Sequence, residues 1–192
     1  MSDNNLVPQK KDSAAMINND AWLDELIAWA DKNNIPEYGV PRDKQEILTL
    51  NMLDLSDNEI TELPESIGKL VNLTEFDLSG NQITKLPESI GKLVNLTKLN
   101  LCLNQFTSLS ESIGNLVNLT KLDLSGNQLT SLPESIDKLV NLTELDLSGN
   151  QLTKLPESIG KLVNLTELGL SYNPIESLPS QLSHLRNITT FD

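Results

Sequence analysis

Nucleophilic catalysis in this sequence would have to begin at Cys102 and draw on His184, because each is the only residue of its type. A thiol becomes a working nucleophile when a base beside it takes the proton, and histidine is the usual base. The two stand far apart in the chain, so their spacing argues against a catalytic pair. No cluster of cysteines and histidines has zinc spacing. Adjacent carboxylates such as Asp123 and Asp146 could at most hold calcium weakly, since nothing matches a dedicated calcium loop. The reactive residue types therefore imply no catalysis, no metal and no cofactor. What remains is electrostatics: many carboxylates at regular intervals.

Overall charge narrows the partner. The chain has 192 residues and a formal net charge of −13. Polyanion binding depends on lysines and arginines that neutralise phosphates. An acidic chain is unsuited to nucleic acid or an anionic membrane, and suited to a protein with a basic patch. A lone cysteine permits no intrachain disulfide. The start, Met1-Ser2-Asp3-Asn4-Asn5-Leu6, lacks the basic and apolar regions of a signal peptide. No apolar run approaches the roughly 20 residues that span a bilayer. These features point to the cytoplasm, or to bacterial export without a conventional signal peptide.

The elements that position the carboxylates come from repetition. A 23-residue phrase runs Leu-Pro-Glu-Ser-Ile-Gly-Lys-Leu-Val-Asn-Leu-Thr-Glu-Phe-Asp-Leu-Ser-Gly-Asn-Gln-Ile-Thr-Lys from Leu63 to Lys85. It restarts at Leu86, Leu109, Leu132, Leu155 and Leu178. Such periods make solenoids, in which each unit packs on its neighbours. Residues 1–18 are polar and aperiodic and read as a disordered tail. Residues 19–49 read as a helical N-terminal cap. Asn19-Asp20 offers an N-cap, and Trp22, Leu26, Trp29 and Ala30 share a helical face that would plug the open end of the core. Asn33-Asn34 and Pro36 end that helix, and a second short one starts near Pro41-Arg42-Asp43. Residues 50–192 form the array, six full repeats plus a partial seventh from Ile188.

Within each unit, segments such as Leu142-Thr143-Glu144-Leu145-Asp146-Leu147-Ser148-Gly149-Asn150-Gln151-Leu152 follow the pattern L-x-x-L-x-L-x-x-N-x-L. Over about three quarters of its length the chain resembles the 23-residue class of leucine-rich repeats with a Leu-Pro-x-x-Ile return limb. That class occurs in intracellular Ras-pathway scaffolds, their plant relatives and bacterial proteins, including those of spirochaetes. The near identity between repeats most resembles the bacterial group. The resemblance implies an α/β solenoid, a short horseshoe arc. It would have a parallel concave β-sheet, a 3-10 or helical convex side and a helical N-terminal cap. It also implies that Asn58, Asn81, Asn104, Asn127, Asn150 and Asn173 form a buried ladder bonded to backbone. Extracellular members often carry cysteine-clamped caps, absent here, which favours a reducing compartment or bacterial export without disulfides. Glu65 and Lys69 have the spacing of an i, i+4 ion pair. Six Asn-x-Thr triplets, starting at Asn72, Asn95, Asn118, Asn141, Asn164 and Asn187, read as repeat residues rather than glycan acceptors.

Strand alternation sorts the exposed positions into four columns. The first holds Met52, Glu75, Lys98, Lys121, Glu144, Glu167 and Thr190. The second holds Asp54, Asp77, Asn100, Asp123, Asp146, Gly169 and Asp192. The third is serine except for Cys102, and the fourth holds Asp57, Leu103, Tyr172 and glycines. From Leu50 onward the chain has 18 acids and 9 bases, and these columns hold nine of the acids and only two of the bases. Like charges opposite each other on neighbouring strands cost stability, so the Asp column should be unfavourable in itself. The residues that break the repeat, Asn100, Cys102, Leu103 and Tyr172, are candidate contact residues, with large apolar groups as anchors. The expected function is non-catalytic protein–protein recognition through the acidic face. The candidate contacts are Glu75, Asp77, Lys98, Asn100, Cys102, Leu103, Lys121, Asp123, Glu144, Asp146 and Tyr172. A bacterial surface or secreted adhesion or effector protein, and the targeting part of a larger enzyme, remain alternatives. The array is expected to be monomeric, with an end-to-end dimer through the C-terminal edge as the other possibility.

Overall fold

The computed structural model describes residues 20–191. The expected tail at residues 1–18 lies outside the described residues. Two helices lead the chain, α1 (Ala21–Lys32) and α2 (Lys44–Thr49). Seven short strands follow: β1 (Met52–Asp54), β2 (Glu75–Asp77), β3 (Lys98–Asn100), β4 (Lys121–Asp123), β5 (Glu144–Asp146), β6 (Glu167–Gly169) and β7 (Thr190–Phe191). They form one parallel sheet in sequence order. Between consecutive strands the chain returns through a 3-10 segment, as at Glu65–Lys69. Leu53 pairs in register with Phe76, and Leu122 with Leu145, one repeat apart. No helix among the described residues is long and apolar enough to cross a membrane.

A constant repeat length gives this architecture its core. Leucines and isoleucines at fixed positions stack into continuous apolar columns, and Phe76 and Phe106 replace aliphatics in two of them. The asparagine ladder bonds to backbone as the resemblance implies. Asn127 Nδ2 donates to the carbonyls of Leu101 and Leu124 at 3.0 Å, and its Oδ1 accepts from Phe106 N at 3.1 Å.

The Asn-x-Thr triplets build two further ladders that spacing did not reveal. The Nδ2 of each triplet asparagine donates to the carbonyl 24 positions earlier, at 2.8–2.9 Å. Each threonine hydroxyl donates to a carbonyl 23 positions earlier, at 2.9–3.2 Å. The triplets recur because both side chains tie one repeat to the next.

Three local expectations are refined. Glu65 and Lys69 do not pair, because the limb is a 3-10 helix whose three-residue turn aligns i with i+3. Glu65 instead reaches the next limb, where its Oε2 accepts from Ser89 N at 3.1 Å. In α1 the buried face is Leu23, Leu26, Trp29 and Ala30, while Trp22 is half-exposed. Leu23 joins the expected face, and Trp22 packs against the core at its edge. Trp29 Nε1 donates to Glu62 O at 3.1 Å, so its ring packs apolar while its N–H is satisfied. The second helix starts one step later than expected: Asp43 caps it, with Oδ1 accepting from Gln45 N and Glu46 N.

Candidate protein-binding face

The strands place the first two columns side by side on the concave surface. Glu75 is in register with Lys98, Lys98 with Lys121, and Lys121 with Glu144. They line an open groove of about 560 Å³ that runs from Met52 to Gly169. Lys98 and Lys121 face each other as like charges, and each turns away to an acidic neighbour. Lys98 Nζ meets Glu75 Oε1 at 2.8 Å, and Lys121 Nζ meets Glu144 Oε1 at 2.5 Å. The Glu144 contact raises the Lys121 pKa and keeps it charged. Asp54, Asp77, Asp123, Asp146 and Glu167 make no ion pair among the described residues.

The Asp column has a structural task that the sequence reading missed. Asp77 Oδ1 accepts from Ser79 N at 2.8 Å and Ser79 Oγ at 2.6 Å. Asp54 with Ser56 and Asp123 with Ser125 repeat the arrangement. Asp146 Oδ1 accepts from Ser148 N. This local turn ends β1, β2, β4 and β5 and offsets the repulsion expected between stacked carboxylates. The Ser56 amide and hydroxyl hold the Asp54 carboxyl below its usual range. The recurrent Asp-x-Ser spacing was the available signal. Asn100 does the same work uncharged, since its Oδ1 accepts from Cys102 N at 3.1 Å. Its Nδ2 also donates to Asp77 Oδ2 at 3.0 Å.

Cys102, Leu103 and Tyr172 come after the strand residues Asn100 and Gly169. They lie past the strand ends, in the turns along the rim of the groove. Cys102 is half-buried. Burial, then the nearby Asp123 and Asp77 charges, push its thiol up to about 11, so it stays protonated at neutral pH. His184 is exposed on the return limb after β6. Leu103 and Tyr172 are 65% and 91% exposed, and both sit at positive φ, +54° and +57°. The matching residues Gly80, Gly126 and Gly149 share this backbone, with φ between +65° and +67°. A left-handed conformation costs a branched residue such as leucine roughly 1–2 kcal/mol, and glycine almost nothing. Replacing Leu103 with glycine is therefore expected to raise unfolding stability by about 1 kcal/mol. The urea midpoint measures it, and a fall in midpoint would show that Leu103 contributes packing that outweighs its strain.

The sequence model described as "Leucine rich repeat" matches residues 94–152 and 140–192. A second, "Leucine Rich repeats (2 copies)", matches residues 49–91 and 71–114. No curated protein matches the chain. Among solved structures, a Leptospira interrogans leucine-rich repeat protein is 36% identical with a TM-score of 0.65, over 79% of this chain and 45% of its own. An internalin from Listeria monocytogenes is 28% identical with a TM-score of 0.62, over 73% of this chain and 40% of its own. The plant peptide hormone receptor RGFR1, solved in complex with RGF2, is 34% identical with a TM-score of 0.66, over 74% of this chain and 24% of its own. The chain thus spans less than half the length of each of these structures. Two of the three are bacterial, as the near-identical repeats led one to expect. With the pattern, the ladder, the parallel sheet and these matches together, the chain belongs to the leucine-rich repeat family.

Proposed function

We propose that this chain is a non-catalytic recognition module that binds a basic protein partner on its acidic concave face. Leucine-rich repeats are in general interaction scaffolds, which supports the class of function. The observation that carries the choice of partner is the charge left on the groove. Both lysines are paired with glutamates, while Asp54, Asp77, Asp123 and Asp146 make no ion pair among the described residues. A basic partner would be steered to this surface over a distance set by salt.

Asn100 supplies the clean test, because asparagine keeps the strand-ending turn without the charge. The triple variant Asp77→Asn, Asp123→Asn, Asp146→Asn should retain its melting temperature. A dye-labelled hexalysine probe, titrated at low salt, should bind the variant about tenfold more weakly, from three exposed contacts at roughly 0.5 kcal/mol each. Equal affinity for wild type and variant would rule out the concave face.

A second reading is that the array is the targeting part of a longer protein, including a bacterial surface or effector protein. It is favoured by the low share of each similar structure that the chain covers. Immunodetection of the intact protein in source cells and in their medium decides it by size and place.

A further inference from the structure

The third repeat departs from its neighbours at three nearby positions, two half-buried and one exposed, and every departure lowers polarity. Asn100 stands where Asp77 and Asp123 flank it, Cys102 where Ser79 and Ser125 do, and Leu103 where Gly80 and Gly126 do. The three are physically connected. Asn100 Oδ1 holds the Cys102 amide, and Leu103 follows directly with its side chain leaning over the next repeat. A β-carbon on Gly126 would come within 2.8 Å of Leu103 Cδ2, so glycine at that position leaves room for the leucine. The result is an exposed isobutyl group beside a half-buried thiol that feels the charges of Asp123 and Asp77, the two carboxylates in register with Asn100 three residues before Leu103. Apolar centres ringed by polar groups are the usual form of interface hot spots. The strained backbone at Leu103 adds weight, since strain of this kind is concentrated at functional sites.

Resting on the recognition reading above, we infer that Leu103 is the specificity anchor, receiving an apolar side chain from a partner segment that carries a lysine or arginine on either side of it. The apolar side chain packs on Leu103 and Cys102, and the two cations face Asp77 and Asp123. Those carboxylates are two strand spacings apart, about 10 Å. An extended segment repeats its same-side residues about every 6.6 Å. Cations two residues before and two after the apolar residue bracket the site, with flexible stems closing the remaining gap. The anchor lies on the rim, so the partner touches groove and rim together.

The test uses two amidated peptides in the same glycine frame, Lys-Ala-Leu-Ala-Lys and its charge-matched control Lys-Ala-Ser-Ala-Lys. Each is titrated into the isotopically labelled 192-residue chain and followed by amide chemical shifts. Wild type should bind the leucine peptide roughly tenfold more tightly, the gain from covering one aliphatic side chain. Shifts should concentrate at Cys102, Leu103 and Gly126. Leu103→Gly should remove the preference and leave the weaker, salt-sensitive binding of both peptides. This variant should fold, because glycine holds the same turn at Gly80, Gly126 and Gly149. Equal, salt-sensitive binding of both peptides to wild type would overturn the anchor and leave the acidic-face reading standing. A preference that survives in Leu103→Gly would also overturn the anchor. Failure of both peptides to bind would overturn both readings.

Discussion

Replacing Asn127 with alanine is expected to cost about 3 kcal/mol of unfolding free energy, mostly through one backbone amide. The reason lies in which partners are left behind. Leu101 O and Leu124 O each keep a second ladder asparagine, Asn104 and Asn150 respectively. Phe106 N has no such reserve: Asn127 Oδ1 is its acceptor, and the site is buried. An unsatisfied buried N–H costs on the order of 1–3 kcal/mol, and the small void left by the amide adds to it. The position is central, so the loss weakens the contacts between the third and fourth repeats. Repeat arrays behave as nearest-neighbour chains, and a broad or two-step urea transition should accompany the lower midpoint. Asn58, half-buried at the start of the array, should tolerate the same change with a smaller loss. A cost below about 1 kcal/mol at Asn127 would mean that another group or water takes over the Phe106 amide.

Phe106→Ala should be as damaging by a different route. Phe106 is fully buried, in a column otherwise filled by Ile60, Ile83, Leu129, Leu152 and Ile175. Its ring fills volume that the rigid repeats on either side cannot collapse into, because three ladders hold the spacing. Phenylalanine-to-alanine changes in such cores cost about 3–5 kcal/mol. Phe106→Leu, the residue that the next two repeats use, should recover most of that loss. Calorimetry or urea unfolding of the pair checks it. If alanine and leucine lowered stability alike, backbone geometry rather than ring volume would be the cause.

Much of the fold and part of the site were legible in the sequence. A constant 23-residue period converts sequence position into spatial position, because every repeat must place the same residue one strand spacing further along. That is why the sequence sets Glu75, Lys98, Lys121 and Glu144 in one row and Asn81, Asn104 and Asn127 in one buried column. The cap was less legible. An α1 face read by spacing alone missed Leu23 and overstated the burial of Trp22, since which side of a short helix is covered depends on the body it packs against.

The sequence by itself determined the order of strands, their register, the ladder and the concentration of acid on one face, all consequences of translation along a repeat. The tertiary structure alone decided how neighbours use that proximity. It turned Lys98 to Glu75 and Lys121 to Glu144, bound the Asp carboxylates to serines two residues on, and sent Glu65 to Ser89 instead of Lys69. It also put Leu103 and Tyr172 on the rim in left-handed turns. The physical reason is range. Periodicity sets where backbones lie, but hydrogen-bond and ion-pair choices depend on distances of a few ångströms between side chains of different repeats, which only the packed solenoid defines.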